Sequence, residues 1–168
     1  GTMMSLTPTA SADTVPTHKQ WQIDQAYCLA QNVYFEARNQ PLAGQMAVIS
    51  VTINRVNDKR FPNSICGVVY QGPHRPSWKD NTVMIPVRHR CQFSWYCDGL
   101  SDRIHDMTTF DSIFTLTMGV VDGSYKIADI TEGATHYHAD YVEPAWAKTK
   151  TKTIEIEDHI FYRWEIAE

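Results

Sequence analysis

The sequence predicts an α+β fold, with helices packed around a small, irregular β element. Three observations predict it. Apolar residues recur at helical spacing over residues 24–38, 42–56 and 104–121. The stretch from Asn57 to about Asp102 is punctuated by Pro62, Gly67, Gly72, Pro73, Pro76, Pro86 and Gly99, which leaves room only for short pieces. The last third, "GATHYHADYVEPAW" and then "KTIEIEDHIFYRW", reads as loop plus one or two strands.

The first helix is expected from an Asp24 N-cap to about Arg38, with Ala26, Leu29, Ala30, Val33 and Ala37 on one stripe. Asn39-Gln40-Pro41 breaks it, and Pro41 suits the first turn of a second helix. There Leu42, Met46, Ile49, Ile53 and Val56 are expected to face the core. In the middle, Val68-Val69-Tyr70 and "CQFSW" (Cys91–Trp95) read as pieces of a small β element. A third helix is expected from Ile104 to Val121, burying Phe110, Ile113, Phe114, Thr117 and Val121 and ending at Asp122-Gly123.

Bulk composition narrows the function. A chain of 168 residues has room for one domain with a proper core and not for two comfortable ones. With 43% apolar and 20% charged residues it is globular rather than disordered. No apolar run approaches the ~18 residues of a membrane span. A net charge of -4 without a basic block argues against nucleic acid as a partner. The expectation is a monomer, with a flexible arm over residues 1–20 and a folded domain over 21–168. Gly1-Thr2 reads as an expression remnant, with a native start at Met3 or Met4. Cys28, Cys66, Cys91 and Cys97 lack CxxC metal spacing. They leave two readings open: buried packing, most readily for Cys28, or disulfides, which would imply an oxidising compartment.

One residue does not fit its surroundings. Glu36 follows Leu29 by seven positions, so it lies only ~20° from Leu29 around the helix and shares the azimuth of the apolar stripe. It also falls in the last turn, where the helix dipole disfavours a negative charge. Burial and dipole both raise its pKa, which suits a general acid. The plainer alternative is an ion pair with Arg38 or Arg55.

Four blocks weigh on that choice: "NVYFEARNQPLAGQMAVISVTINRV", "FPNSICGVVYQ", "CQFSWYCDG", and "GATHYHADYVEPAWA" with "IEDHIFYRW". In this order, over Tyr27 to Trp164, they resemble the SleB-type cell-wall hydrolases, the family of spore-cortex-lytic enzymes and related bacterial and phage lysins. The resemblance implies a lysozyme-like fold, cleavage of peptidoglycan glycan strands, and Glu36 as the catalytic acid. It also implies sugar-binding roles for Gln92, Phe93, Ser94 and Trp95, with the two aromatics as stacking platforms or, alternatively, as core. His136, Tyr137 and His138 match the family's "T-H-Y/F" block, and His159 with Tyr162 its "H-x-F-Y" block. Where many members carry Gly-Asn before that last His, this chain has Glu157-Asp158.

Rival readings remain open at this level. A zinc amidase would take His136, His138 and His159 as ligands and Glu36 as base. A glycan-binding module would keep a cleft without chemistry. A hydrolase needs a second carboxylate, for which Asp80, Asp98, Glu132, Asp140 and Glu143 are the candidates, Asp98 being the best placed. The expectation is a lytic transglycosylase: Glu36 alone as acid and then base, no metal, no cofactor, and 1,6-anhydromuramic products. Its partner is peptidoglycan and its place extracytoplasmic, periplasmic or at the wall, with a phage endolysin also open.

Overall fold

A computed structural model describes residues 17–166. Helix α1 spans His18–Ala37, starting six residues before Asp24, because Thr17 is the cap: its hydroxyl accepts from the Gln20 amide at 3.1 Å. Asp24 instead accepts from the Gln20 side chain inside the helix. Residues 18–20, expected in the arm, are thus helical, while residues 1–16 lie outside the described residues. The stripe Ala26, Leu29, Ala30, Val33 and Ala37 is buried as expected.

Pro41 leads directly into α2 (Leu42–Val56). Here the expected stripe is a correction. Leu42 is 54% exposed, Met46, Ile53 and Val56 are half-buried, and only Ile49 is fully buried. Buried instead are Ala47, Val48, Val51, Thr52 and Arg55, positions that a single stripe does not hold. The reason is that α2 is covered from two sides. Val48 and Ile49 join the cluster formed with α1, while Ala47 and Val51 pack on Ala134 and Phe161 of the C-terminal part.

The middle of the chain differs most from expectation. Val68-Val69 belong to a short helix, α3 (Ile65–Val69), which Ser64 caps by accepting from the Gly67 amide. The irregular β element is β1 (His74–Pro76) antiparallel to β2 (Met84–Pro86). "CQFSW" forms no strand; Ser94–Cys97 is a 3-10 turn. All four cysteines are paired: Cys28–Cys66 ties α1 to α3, and Cys91–Cys97 closes the loop that holds the 3-10 turn. Helix α4 (Met107–Asp122) follows an Asp106 cap and ends at Gly123, whose φ of 83° is left-handed. It packs along α1 with Phe110, Ile113 and Thr117 buried.

The C-terminal third holds three strands rather than one or two: β3 (His136–Ala139), β4 (Thr151–Ile156) and β5 (His159–Arg163), antiparallel in the order β3-β5-β4. Only Glu157-Asp158 separates β4 from β5, with Glu157 at a left-handed φ of 53° where glycine would be unstrained. Register places Tyr137 opposite Phe161 and His136 opposite Tyr162. Tyr137, Phe161, Ile154 and Ile156 turn toward α2, and His136, His138 and Tyr162 share the other face. Among the described residues no helix is long and apolar enough to cross a membrane. Helices packed with small antiparallel sheets make the fold α+β.

The two disulfides close loops of very different span, 38 against 6 residues. On loop-closure entropy alone, Cys28→Ala/Cys66→Ala is expected to lose about 4 kcal/mol and Cys91→Ala/Cys97→Ala about 2. Urea denaturation of both variants beside the wild type checks the order. Equal losses would mean that native-state effects, not loop length, set the stabilisation.

Candidate active site

Glu36 stands in the last turn of α1, half-buried, directed at the start of the C-terminal sheet. Desolvation pushes its carboxyl above the usual range, and the Tyr137 hydroxyl and the Arg55 charge only partly oppose this. No cation lies within ion-pair distance of it among the described residues. Arg38 is exposed and sits over the Tyr34 ring at 4.8 Å. The ion-pair alternative therefore fails for Arg38, while Arg55 acts on Glu36 through its field and not through contact.

Tyr137 reaches Glu36 because strand alternation turns it toward α2. Its hydroxyl is fully buried and close enough to act on Glu36, yet it misses the geometry of a formed hydrogen bond. Burial and the nearby carboxylate push the phenol well above its ordinary value. Arg55 is 5% exposed, in the last turn of α2. Its Nε donates to the Thr135 carbonyl at 2.7 Å, and its guanidinium lies between the rings of Phe61 (5.0 Å) and Phe93 (4.8 Å). Burial lowers its pKa to about 10, still far above neutrality.

The "QFSW" segment splits by exposure. Phe93 and Trp95 are 3% and 7% exposed, too enclosed to serve as sugar platforms; the core alternative holds for both. Trp95 stacks on Phe35 at 4.8 Å, and its Nε1 donates to Asn32 Oδ1 at 2.9 Å. Asn32 in turn donates to Thr52 Oγ1 at 3.2 Å. Gln92, just before Phe93, and Ser94, between the two aromatics, are exposed.

Of the sheet residues predicted at the site, the structure brings only Tyr137 to Glu36. His136, His138 and Tyr162 stand on the opposite face of the sheet. There His138 Nε2 meets the Tyr162 hydroxyl at 2.8 Å and Trp146 closes over both. Burial, with Arg55, Lys150 and Arg60 nearby, holds His136 down at about 3, so it is neutral at ordinary pH. His159 shares Tyr137's face, 4.7 Å from its ring, with Nδ1 at 3.4 Å from Gln40 Nε2. The three imidazoles of the zinc reading thus do not converge. The described residues contain no group of three His, Cys, Asp or Glu side chains placed to hold a metal.

Nor does a second carboxylate bear on Glu36. Asp98 and Asp80 accept from backbone amides two residues on, in turns. Glu132 occupies a left-handed turn position. Asp140 and Glu143 line a separate concavity of about 600 Å³ beside His138.

Sequence reasoning missed Asn32, and took Arg55 only as an ion-pair partner for Glu36. The available signal is helical spacing from apolar positions, Asn32 three after Leu29 and Arg55 four after Val51.

The fold is thus α+β, with one carboxyl, Glu36, desolvated at a helix end. The cell wall hydrolase family model matches residues 39–162, most of the 168-residue chain, and the chain belongs to that family. The match begins three residues after Glu36. The spore cortex-lytic enzyme of Bacillus subtilis (strain 168) is 51% identical over 43 residues, 26% of this chain and 14% of that protein. That of Bacillus cereus is 35% identical over 69 residues, 38% of this chain and 27% of its own length. The chain therefore matches about a quarter or less of these curated relatives. Among solved structures, the catalytic domain of the germination-specific lytic transglycosylase SleB from Bacillus anthracis superposes with a TM-score of 0.57 at 24% identity, covering 89% of this chain and all (100%) of that one. The catalytic domain of the Bacillus cereus SleB protein gives 0.50 at 25% identity, over 83% and 91%.

Trp95→Ala is expected to lose ~3–5 kcal/mol, as a large core truncation does. Trp95→Phe keeps most of the packing but strands Asn32 Oδ1, and is expected to lose ~1–3 kcal/mol. Equilibrium unfolding measures both. A wild-type midpoint for Trp95→Ala would return Trp95 to the surface role.

Proposed function

We propose that this chain cleaves the glycan strands of peptidoglycan as a lytic transglycosylase, with Glu36 as its only acid and base. The observation that carries the reading is the desolvated Glu36 carboxyl without a second carboxylate acting on it. Family membership and the SleB-like fold support the substrate class.

In this mechanism the protonated Glu36 gives its proton to the glycosidic oxygen. The C1–O bond breaks with its electron pair going to that oxygen, leaving an oxocarbenium-like muramyl ring. The ring's own C6 hydroxyl attacks C1 and passes its proton to the Glu36 carboxylate. No water is consumed, and the acid is restored. A buried carboxyl serves the first step because its raised pKa favours the protonated form; the same carboxylate is a stronger base for the second. Gln92 and Ser94, exposed beside the site, are the side chains assigned to sugar hydroxyls and N-acetyl groups. The paired cysteines suit an oxidising, extracytoplasmic location, where this substrate lies.

Glu36→Gln is expected to lower turbidity clearance of purified sacculi by ~10²–10⁴-fold. The fold should not suffer. A carboxyl whose pKa is raised on folding stabilises most below its unfolded value and loses that contribution as pH rises through the folded value. At neutral pH the neutral amide avoids this cost, so Glu36→Gln should melt at or above the wild-type temperature. A variant that clears sacculi at more than a tenth of the wild-type rate would defeat Glu36 as the acid.

The products discriminate the chemistry. Muropeptides lighter than the hydrolytic ones by one water, resistant to borohydride, are expected by mass spectrometry. Reducible muramic ends would assign a hydrolase, and free stem peptides an amidase.

A further inference from the structure

Beside Glu36 the protein keeps two buried hydrogen-bond donors unused. Arg55 Nη1 and the Tyr137 hydroxyl are both sealed from solvent and have no partner. Such orphans are rare in folded proteins and destabilising, so their coincidence at one carboxyl needs a reason. Arg55 is also held rigidly. Its Nε is fixed on the Thr135 carbonyl, one residue before β3, and its guanidinium plane is held between Phe61 and Phe93. Exposed Arg38, two residues after Glu36, lies over the Tyr34 ring and does not substitute for it.

The orphans make sense against the two states of the carboxyl. A protonated Glu36 asks for no counter-charge. The carboxylate left after proton donation can accept several hydrogen bonds and needs a positive neighbour in a desolvated site. We propose that Arg55 is the positioning residue of the Glu36 anion: together with Tyr137 it receives the carboxylate formed when the glycosidic oxygen takes the proton, and holds it aimed at the C6 hydroxyl that returns one. This rests on the proposed glycan-cleaving reading. Donors that are idle in the ground state and engaged once charge has formed favour the reacting state over the resting one.

The groups facing this pair are few. From α1 there is Glu36 and from β3 Tyr137, with His159 behind Tyr137; His136, on the other face of β3, still feels the Arg55 charge. His136 is neutral above about 3, and burial holds His159 below its ordinary value. Tyr137 titrates far above neutrality. Glu36 is thus the facing carboxyl whose titration feels the Arg55 charge.

The test compares Arg55→Met and Arg55→Lys with wild type, reading kcat and KM on sacculus fragments across pH, with circular dichroism for the fold. Arg55→Met is expected to lower kcat tenfold or more with little change in KM. It should also move the alkaline limb of the kcat/KM profile upward by about one pH unit, since the anion has lost its counter-charge. Arg55→Lys, which keeps the charge, should leave that limb near its wild-type position. A folded Arg55→Met whose alkaline limb stays in place overturns the proposal and leaves Arg55 a structural residue. Should Arg55→Met not fold, the Arg55 side-chain nitrogens of the wild type are followed by ¹⁵N NMR against pH. A transition that vanishes in Glu36→Gln is expected; its absence in the wild type overturns the proposal. Activity retained by Glu36→Gln instead removes the glycan-cleaving acid itself, so the two failures are told apart.

Discussion

Everything distinctive at the site depends on α2 being covered from two sides. A surface helix buries one stripe; α2 buries Val48 and Ile49 against α1 and Ala47 and Val51 against the sheet. On the sheet side the approach is made through Ala134 and Phe161, packed on Ala47 and Val51. That approach carries Tyr137 to the end of α1 and closes over Arg55, near the end of α2. Glu36 is then desolvated by the meeting of three elements, and not by an apolar pocket of its own. Its raised pKa follows from tertiary packing, with the helix dipole as a secondary influence at most.

The buried polar groups divide into two kinds. Several are joined: Asn32 bridges Trp95 and Thr52, Thr52 returns to the Val48 carbonyl, and Thr117 donates to the Ala26 carbonyl, while Gln40 Oε1, Ser50 Oγ and Gln71 Oε1 have no partner. Each link spares a desolvation loss, and three of them fix one element against another: the 3-10 turn to α1, α1 to α2, and α4 to α1. Beside Glu36 the accounting is left open, at Arg55 Nη1 and Tyr137.

Legibility in the sequence followed the reach of the signal. The α1 stripe and α4 were readable because each helix buries mainly one face, so period 3.6 survives in the residues. The same logic failed on α2, where a second covering face buried Ala47, Val51 and Arg55 outside the expected stripe. It failed again on α3 and on "CQFSW", which are too short for period to separate helix from strand. Glu36 was legible as a carboxylate on an apolar azimuth. The partners that act on it were not, because Tyr137 lies a hundred positions away and its side-chain direction is set by strand register. Phe93 and Trp95 show the same limit: "QFSW" gives alternation but not which of its two faces is the buried one.

Register is accordingly the last link between sequence and chemistry. In β3 the side chains alternate as His136, Tyr137, His138, so a slip of one residue would withdraw the phenol and turn an imidazole toward α2. Two local features pin the pairing. Glu157-Asp158 joins β4 to β5 in a turn too short to slide, at the cost of a non-glycine residue at a φ of 53°. The irregularity between Lys152 and Ile154 then resets β4 so that Ile154 and Ile156 return to the α2 side with Phe161. Those two isoleucines make the buried face heavier than its opposite, which selects the register in which Tyr137 points inward. The hydrophobic patterning of an edge strand, well away from the acid, thereby decides which side chain Glu36 meets.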